Sequence, residues 1–237
     1  MRRFLLSTVA LVGVASFSMA AQAAPQLMYR VFEDGVLVAA LSTTSNNGSL
    51  VQSGDTQFFN VASNASGIPI LAAPNFAAQT TTVASRSTFT GQHTIELQFT
   101  QTDVPSASAG GAFAQLANSL TANLLIGEGA VDFVRIRNSV DAGNTAFNQS
   151  QILLTRTFTA AGENASGVVV RSANLPNSLF SETISIFASF SGRGATVQAS
   201  SQITSPPVQV PEPASLALFG TGLLGLGLVR RLRRRKV

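Results

Sequence analysis

Apolar and polar residues alternate with a period of two along the middle of this chain. Ile95, Leu97 and Phe99 fall on one face of an extended segment, and Thr94, Glu96, Gln98 and Thr100 fall on the other. Ile184, Ile186, Ala188 and Phe190 alternate in the same way with Thr183, Ser185 and Ser189. Successive side chains of a strand point to opposite faces, so this is the pattern of strands half buried against a core. The same reading predicts strands over 26–32, 36–42, 56–62, 79–84, 131–137, 151–159, 167–171 and 196–203. Asp34-Gly35 is a hairpin signal between the first two, and Gly192-Arg193-Gly194 is expected to play the same part between the last pair. Over 113–126 two readings compete. Phe113, Leu116, Ala117, Leu120 and Leu124 fit helical spacing, whereas 120–126 fits a strand with an irregular lead-in, and the strand is preferred. Segments 106–111 and 139–149 read as the long loops. Short strands punctuated by turns predict an all-β fold, an antiparallel β-sandwich of jelly-roll or Greek-key kind.

Both ends depart from that pattern. Met1-Arg2-Arg3 is a positive start, residues 4–20 are largely apolar, and Ala21-Gln22-Ala23 is an A-x-A site. This is the layout of a secretory signal peptide over 1–23, cut by signal peptidase after Ala23. An exported domain is expected over 24–204, and a linker over 205–209. The tail, 210–237, opens on Val210-Pro211-Glu212-Pro213. The prolines lack an N–H and bias their predecessors towards extended backbone, so this strip is one a protease can grip. Residues 214–229 carry no charge and only Ser215 and Thr221 as polar side chains. As a helix they reach about 24 Å, a short transmembrane span for a core of ~30 Å. The basic end, 230–237, holds Arg230, Arg231, Arg233, Arg234, Arg235 and Lys236. By the positive-inside rule it stays in the cytoplasm and the bulk of the chain lies outside.

The tail resembles the PEP-CTERM sorting domain of Gram-negative bacteria in its Val210–Pro213 strip, its apolar run 214–229 and its basic end. The resemblance implies recognition by an exosortase, a membrane-embedded transpeptidase-like cysteine protease, through Pro211, Glu212 and Pro213, with cleavage close by. It also implies transient residence in the inner membrane, then a mature form at the cell surface or outside it. The middle resembles the exported domains that precede such tails, through 94–102 and 180–186, and this brings no activity with it. Gly220-Thr221-Gly222-Leu223-Leu224-Gly225 matches G-x-G-x-x-G, but it lies in the apolar tail with no acidic residue some 20 positions later. It reads as glycines that let helices approach in lipid.

Charge changes meaning once the ends are set apart. Of 15 Lys and Arg, two lie in 1–23 and six in 210–237, leaving seven; of 11 acids only Glu212 lies in the tail, leaving ten. The domain is therefore near −3, although the whole chain is +4. The basic balance belongs to the targeting segments, and nucleic acid is not an expected partner. With no cysteine, the domain depends on core burial rather than disulfides.

Candidate chemistry is sparse. His93, the one histidine, starts a strand with no G-x-S-x-G elbow in the chain. One histidine and no cysteine do not make a zinc site. Glu33-Asp34 fits a turn, and Glu128 and Asp132 flank a Gly-rich turn. Asp141 with Asn138 and Asn144 is a thin calcium candidate without the EF-hand spacing. Four N-x-S sequences, at Asn47, Asn64, Asn148 and Asn164, read as polar loops. The chain has no Trp and one Tyr, Tyr29, so a sugar-stacking platform has few candidates. No catalytic, metal or cofactor residue is assigned. The expected function is that of a non-enzymatic, exosortase-sorted protein of the surface or extracellular matrix, associated with exopolysaccharide or biofilm. An adhesion or carbohydrate-binding module with the same tail is the alternative, and a hydrolase using scattered acids stands third.

Overall fold

The computed structural model describes residues 24–125, 131–159 and 168–206. The expected signal peptide with Ala21 and Ala23, and the tail with Pro211, Glu212, Pro213 and the basic cluster, lie outside the described residues. Among the described residues no helix is long and apolar enough to cross a membrane. The described residues form thirteen strands: β1 Leu27–Glu33, β2 Val36–Leu37, β3 Thr43–Ser45, β4 Ser49–Asp55, β5 Phe59–Ser66, β6 Phe76–Ser85, β7 His93–Pro105, β8 Phe113–Leu125, β9 Val131–Asp141, β10 Gln151–Phe158, β11 Val168–Asn174, β12 Leu179–Phe190 and β13 Thr196–Thr204.

They form two antiparallel sheets. The first runs β10-β9-β12-β7-β1-β2, with β3 also paired to β1; the second runs β11-β8-β13-β6-β5-β4. Counting β6 to β13 as eight consecutive strands, the second sheet holds them in the order sixth, third, eighth, first. The first sheet holds fifth, fourth, seventh, second. That interleaving is a jelly roll, and β1–β5 widen both sheets beyond it. The sequence pattern had left jelly roll and Greek key open, because alternation fixes a strand's faces and not its neighbours.

The predicted phase holds where it was clearest. Ile95, Leu97, Phe99, Ile184 and Phe190 are fully buried between the sheets and belong to a single core cluster. Asp34-Gly35 is a two-residue hairpin joining Glu33 to Val36, with φ of 50° and 78°, the left-handed pair that a type I′ turn requires.

Other expectations need correction. Gly192-Arg193-Gly194 does not close a hairpin: β12 lies in the first sheet and β13 in the second, so this turn crosses between layers. Segment 36–42 is not one strand but β2 followed by a 3-10 turn at Ala39–Leu41. Strand β4 was not anticipated, since its Gly54 and Asp55 look like turn residues. Segment 113–125 is strand throughout, so the irregular lead-in does not exist. Asn64 sits in β5 rather than a loop, and its side chain accepts from the Thr80 N–H at 2.7 Å.

Candidate functional site

His93 was the most reactive residue type available, and the fold engages it fully. Its Nδ1 lies 2.7 Å from Asp34 Oδ2 and its Nε2 2.7 Å from the Thr90 carbonyl. The ring stacks on Phe58 with centroids 3.5 Å apart. Burial opposes the charge on Asp34, but the Thr94 amide, His93 and the Thr94 hydroxyl outweigh it and hold the carboxyl below its usual range. With both ring nitrogens engaged, His93 fastens the first hairpin to the start of β7 and has no nitrogen left for a nucleophile.

The carboxylates of Asp141 and Asp132 are likewise committed. Asp141 accepts from the Thr145 N–H at 2.9 Å, Asn148 at 2.9 Å and Ser150 at 2.7 Å, and so organises the 142–150 loop. Asn144 pairs instead with Asp103, donating to its Oδ1 at 2.8 Å and accepting from its N–H at 2.8 Å. Asn138 lies in the core, donating to Asn118 at 3.3 Å and accepting from Ser201 at 2.7 Å. The three calcium candidates are therefore not brought together, and no group of three His, Cys, Asp or Glu that would hold a metal occurs among the described residues. Asp132 accepts from Gln92 and Ser189. Burial would raise its carboxyl, but hydrogen bonds from Gln92, Ser191 and Ser189 hold it low. Glu128 lies outside the described residues. Tyr29 is buried with its hydroxyl 3.2 Å from Ser63, so it offers no platform to solvent.

The outer faces of the two sheets differ in chemistry. On the first sheet, register aligns Arg30, Gln98, Ser185, Arg137 and Thr155 in one row across five strands. Phe32, Glu96, Phe187, Arg135 and Thr157 form the next. The Arg30 guanidinium lies 3.9 Å from the Phe147 ring centre and donates to Gln98 at 2.7 Å. Phe133 and Phe187 stack at 5.6 Å, with Arg135 5.0 Å from the Phe187 centre. Glu96 Oε1 accepts from Gln98 at 2.5 Å and Ser185 at 2.7 Å. Arg137 reaches Gln149 at 3.3 Å through Nη1, while its Nε is buried without a partner among the described residues. On the second sheet the corresponding rows are Asn123, Gln198, Thr82, Ala62 and Ser53, then Thr121 and Ser200 and, across a bulge, Thr80, Asn64 and Val51. Those rows hold amides, hydroxyls and small apolar groups, with no charge.

None of the arginines or phenylalanines of the first face was singled out from the sequence. The signal was present. Arg30-Val31-Phe32 and Phe133-Val134-Arg135-Ile136-Arg137 place Arg and Phe two residues apart on the polar side of strands whose other side is apolar.

Comparison with known proteins bears on the tail. Residues 209–235 match the family model of the PEP-CTERM protein-sorting motif. No curated protein matches the chain. The motif supports export and sorting by an exosortase, to the cell envelope or surface.

Proposed function

We propose that this chain is a non-enzymatic protein of the cell surface or extracellular matrix. It is sorted through its tail by an exosortase and associated with exopolysaccharide or biofilm. The sorting motif at 209–235 carries the reading. Signal peptidase removes 1–23, residues 214–229 hold the precursor in the inner membrane with 230–237 inside, and the exosortase acts beside Glu212. The engaged state of His93 and the structural commitments of Asp34, Asp132 and Asp141 support the non-enzymatic part. A jelly roll with no cysteine keeps its fold in oxidising or reducing surroundings alike, which suits a protein working outside the cell.

The test is processing and place. Intact mass of the protein should show loss of 1–23 and of everything after about Glu212 in wild-type cells. A strain without the exosortase, or a Glu212→Ala variant, should retain 214–237 in the membrane fraction. Wild-type protein should co-fractionate with the polysaccharide matrix. Tail retention in every strain would refute sorting, and absence from the matrix fraction would refute the association.

A further inference from the structure

We infer that the outer face of the first sheet is a binding surface for an acidic polysaccharide, a chain bearing carboxylate groups. This rests on the matrix association proposed above and names the surface and ligand class that would produce it.

Charge gives the first argument. The domain carries ten acids against seven arginines. Three of those seven, Arg30, Arg135 and Arg137, nonetheless project from two adjacent rows of one sheet face, with Glu96 the only acid in those rows and Asp132, tied to Gln92 and Ser189, beside the next. Glu96 is held by Gln98 and Ser185, and it sits between Arg30 and the Arg135–Arg137 pair without neutralising all three. A net acidic molecule with one cationic face orients an anionic polymer onto that face. On the opposite face the two rows named above carry no charge and the next holds Asp55, an acid paired with Arg86 at 3.6 Å, so it offers such a polymer nothing comparable.

Geometry gives the second. Strands stand ~4.8 Å apart, so Arg30 in β1 and Arg137 in β9, three strand steps apart in one row, are separated by ~14 Å. That span suits a chain with repeated carboxylates better than a single ion. Guanidinium forks match carboxylates with paired N–H donors. Among the described residues Arg137 spends Nη1 on Gln149 at 3.3 Å, while its Nε is buried and takes no part in the surface it offers. Arg135 makes a ring contact with Phe187 and leaves its N–H groups free of hydrogen bonds within the described residues.

Ring surfaces give the third. Phe32, Phe133, Phe147 and Phe187 are all partly exposed around these arginines. Aromatic planes stack on the apolar faces of sugar rings while arginines take the carboxylates. The domain's overall negative charge disfavours a polyphosphate such as nucleic acid, whose charge is denser and whose binding needs a broadly basic surface.

The experiment uses the full chain purified in detergent, with polygalacturonate as the acidic probe and dextran as the neutral one. Retardation in polysaccharide-containing gels reads affinity. Four single-site variants are compared: Arg135→Gln, Arg137→Gln, Phe187→Ala and Arg171→Gln, the last from edge strand β11 of the other sheet. The basic tail contributes equally to each, so differences among variants report the face. Polygalacturonate should retard the wild type, increasingly so as salt is lowered. Arg135→Gln and Arg137→Gln should each weaken binding about tenfold, Phe187→Ala should weaken it, and Arg171→Gln should behave as wild type. Arg135→Gln removes no hydrogen bond among the described residues, so it decides the matter should Arg137→Gln destabilise the domain. Equal binding by Arg135→Gln and wild type, or equal retardation by dextran, overturns the inference. Matrix co-fractionation then judges the broader reading separately: protein that stays in the matrix while Arg135→Gln binds normally leaves the association standing and this face excluded.

Discussion

Glu182 offers the sharpest test of the buried architecture. It lies in β12, on the side facing the opposite sheet, and is fully enclosed. Its Oε2 accepts a hydrogen bond from Gln101 Nε2 at 3.3 Å, and its Oε1 has no partner among the described residues. Burial drives the carboxyl well above the usual carboxylate range, and the Gln101 bond recovers only part of that. An acid whose pKa is raised on folding keeps a proton that the unfolded chain has released. Its contribution is intact below the unfolded pKa near ~4.3, then lost as pH rises towards the folded value. The loss is about 1.4 kcal/mol for each pH unit between the unfolded and the folded value, so across that window this one residue removes on the order of a few kcal/mol. Glu182→Gln cannot ionise. It keeps an oxygen for Gln101 and sets its N–H₂ where the protonated acid would also leave a donor unpaired. The variant should therefore be more stable than wild type at pH 7, with the difference shrinking towards zero by pH 4. Urea unfolding from pH 4 to pH 8 measures this. A difference that stays constant with pH, or a wild type that is the more stable at pH 7, would refute the reading of Glu182 as an uncompensated buried acid.

Phe99 is fully buried and stacked at 4.8 Å on Tyr29, so Phe99→Ala should cost ~3–5 kcal/mol in urea unfolding. Exposed Thr155 on β10 should tolerate alanine within ~0.5 kcal/mol. At Gly67 an added Cβ would stand 1.9 Å from Gln101 Oε1, which accepts from the Ile68 N–H at 2.6 Å. Gly67→Ala should therefore displace Gln101 and destabilise by ~2 kcal/mol, with a smaller effect once Gln101 is also removed in a double-mutant cycle. The Asp34 carboxyl is held below its usual range, so its contribution is present above pH ~4 and fades as pH falls through the folded value. Asp34→Asn should accordingly lower the melting temperature at pH 7 and change it little at pH 2.5.

Much of the fold was legible because period-two alternation reports which side of a strand is buried. Ile95, Leu97 and Phe99 needed nothing else. Alternation fails where burial is two-sided. Gln98, Thr100, Ser185 and Thr183 look like solvent-facing residues, yet all are buried. They lie in the two central strands of a wide sheet, where flanking side chains and the 142–150 loop cover them. Phe147 N–H donates to Thr100 at 3.2 Å, fixing that loop over the face. Nor does alternation report neighbours. Gly192–Gly194 has hairpin composition, but whether a turn closes a hairpin or crosses to the other layer is set by which strands already occupy the edges beside it.

The arginine–phenylalanine face shows the same limit from the side of function. Arg30 and Arg137 are far apart in sequence and meet in one row only because β7 and β12 lie between their strands in a fixed register. A slip of one residue in β9 would turn Arg135 and Arg137 into the core and bring Val134 and Ile136 out. The apolar residues at 134 and 136 therefore hold the arginines outward as surely as any direct contact. What local sequence does carry is the anomaly of Phe32, Phe133 and Phe187. Each is a large apolar side chain on the outer side of a strand whose inner side is already apolar, and each stands two residues from an arginine or beside one across the ladder. A strand that needed only to bury one face and dissolve the other would place polar residues there, as the central strands β13 and β6 of the second sheet do with Gln198, Ser200, Thr80 and Thr82. Rings retained at those positions lie against guanidinium groups in the folded domain, with their remaining surface partly open. On the outer face of the first sheet rings and positive charge coincide, and a surface for ligand contact explains both at once, whereas the apolar side chains exposed on the second sheet, Phe113, Val168 and Val170, come without arginines in their rows.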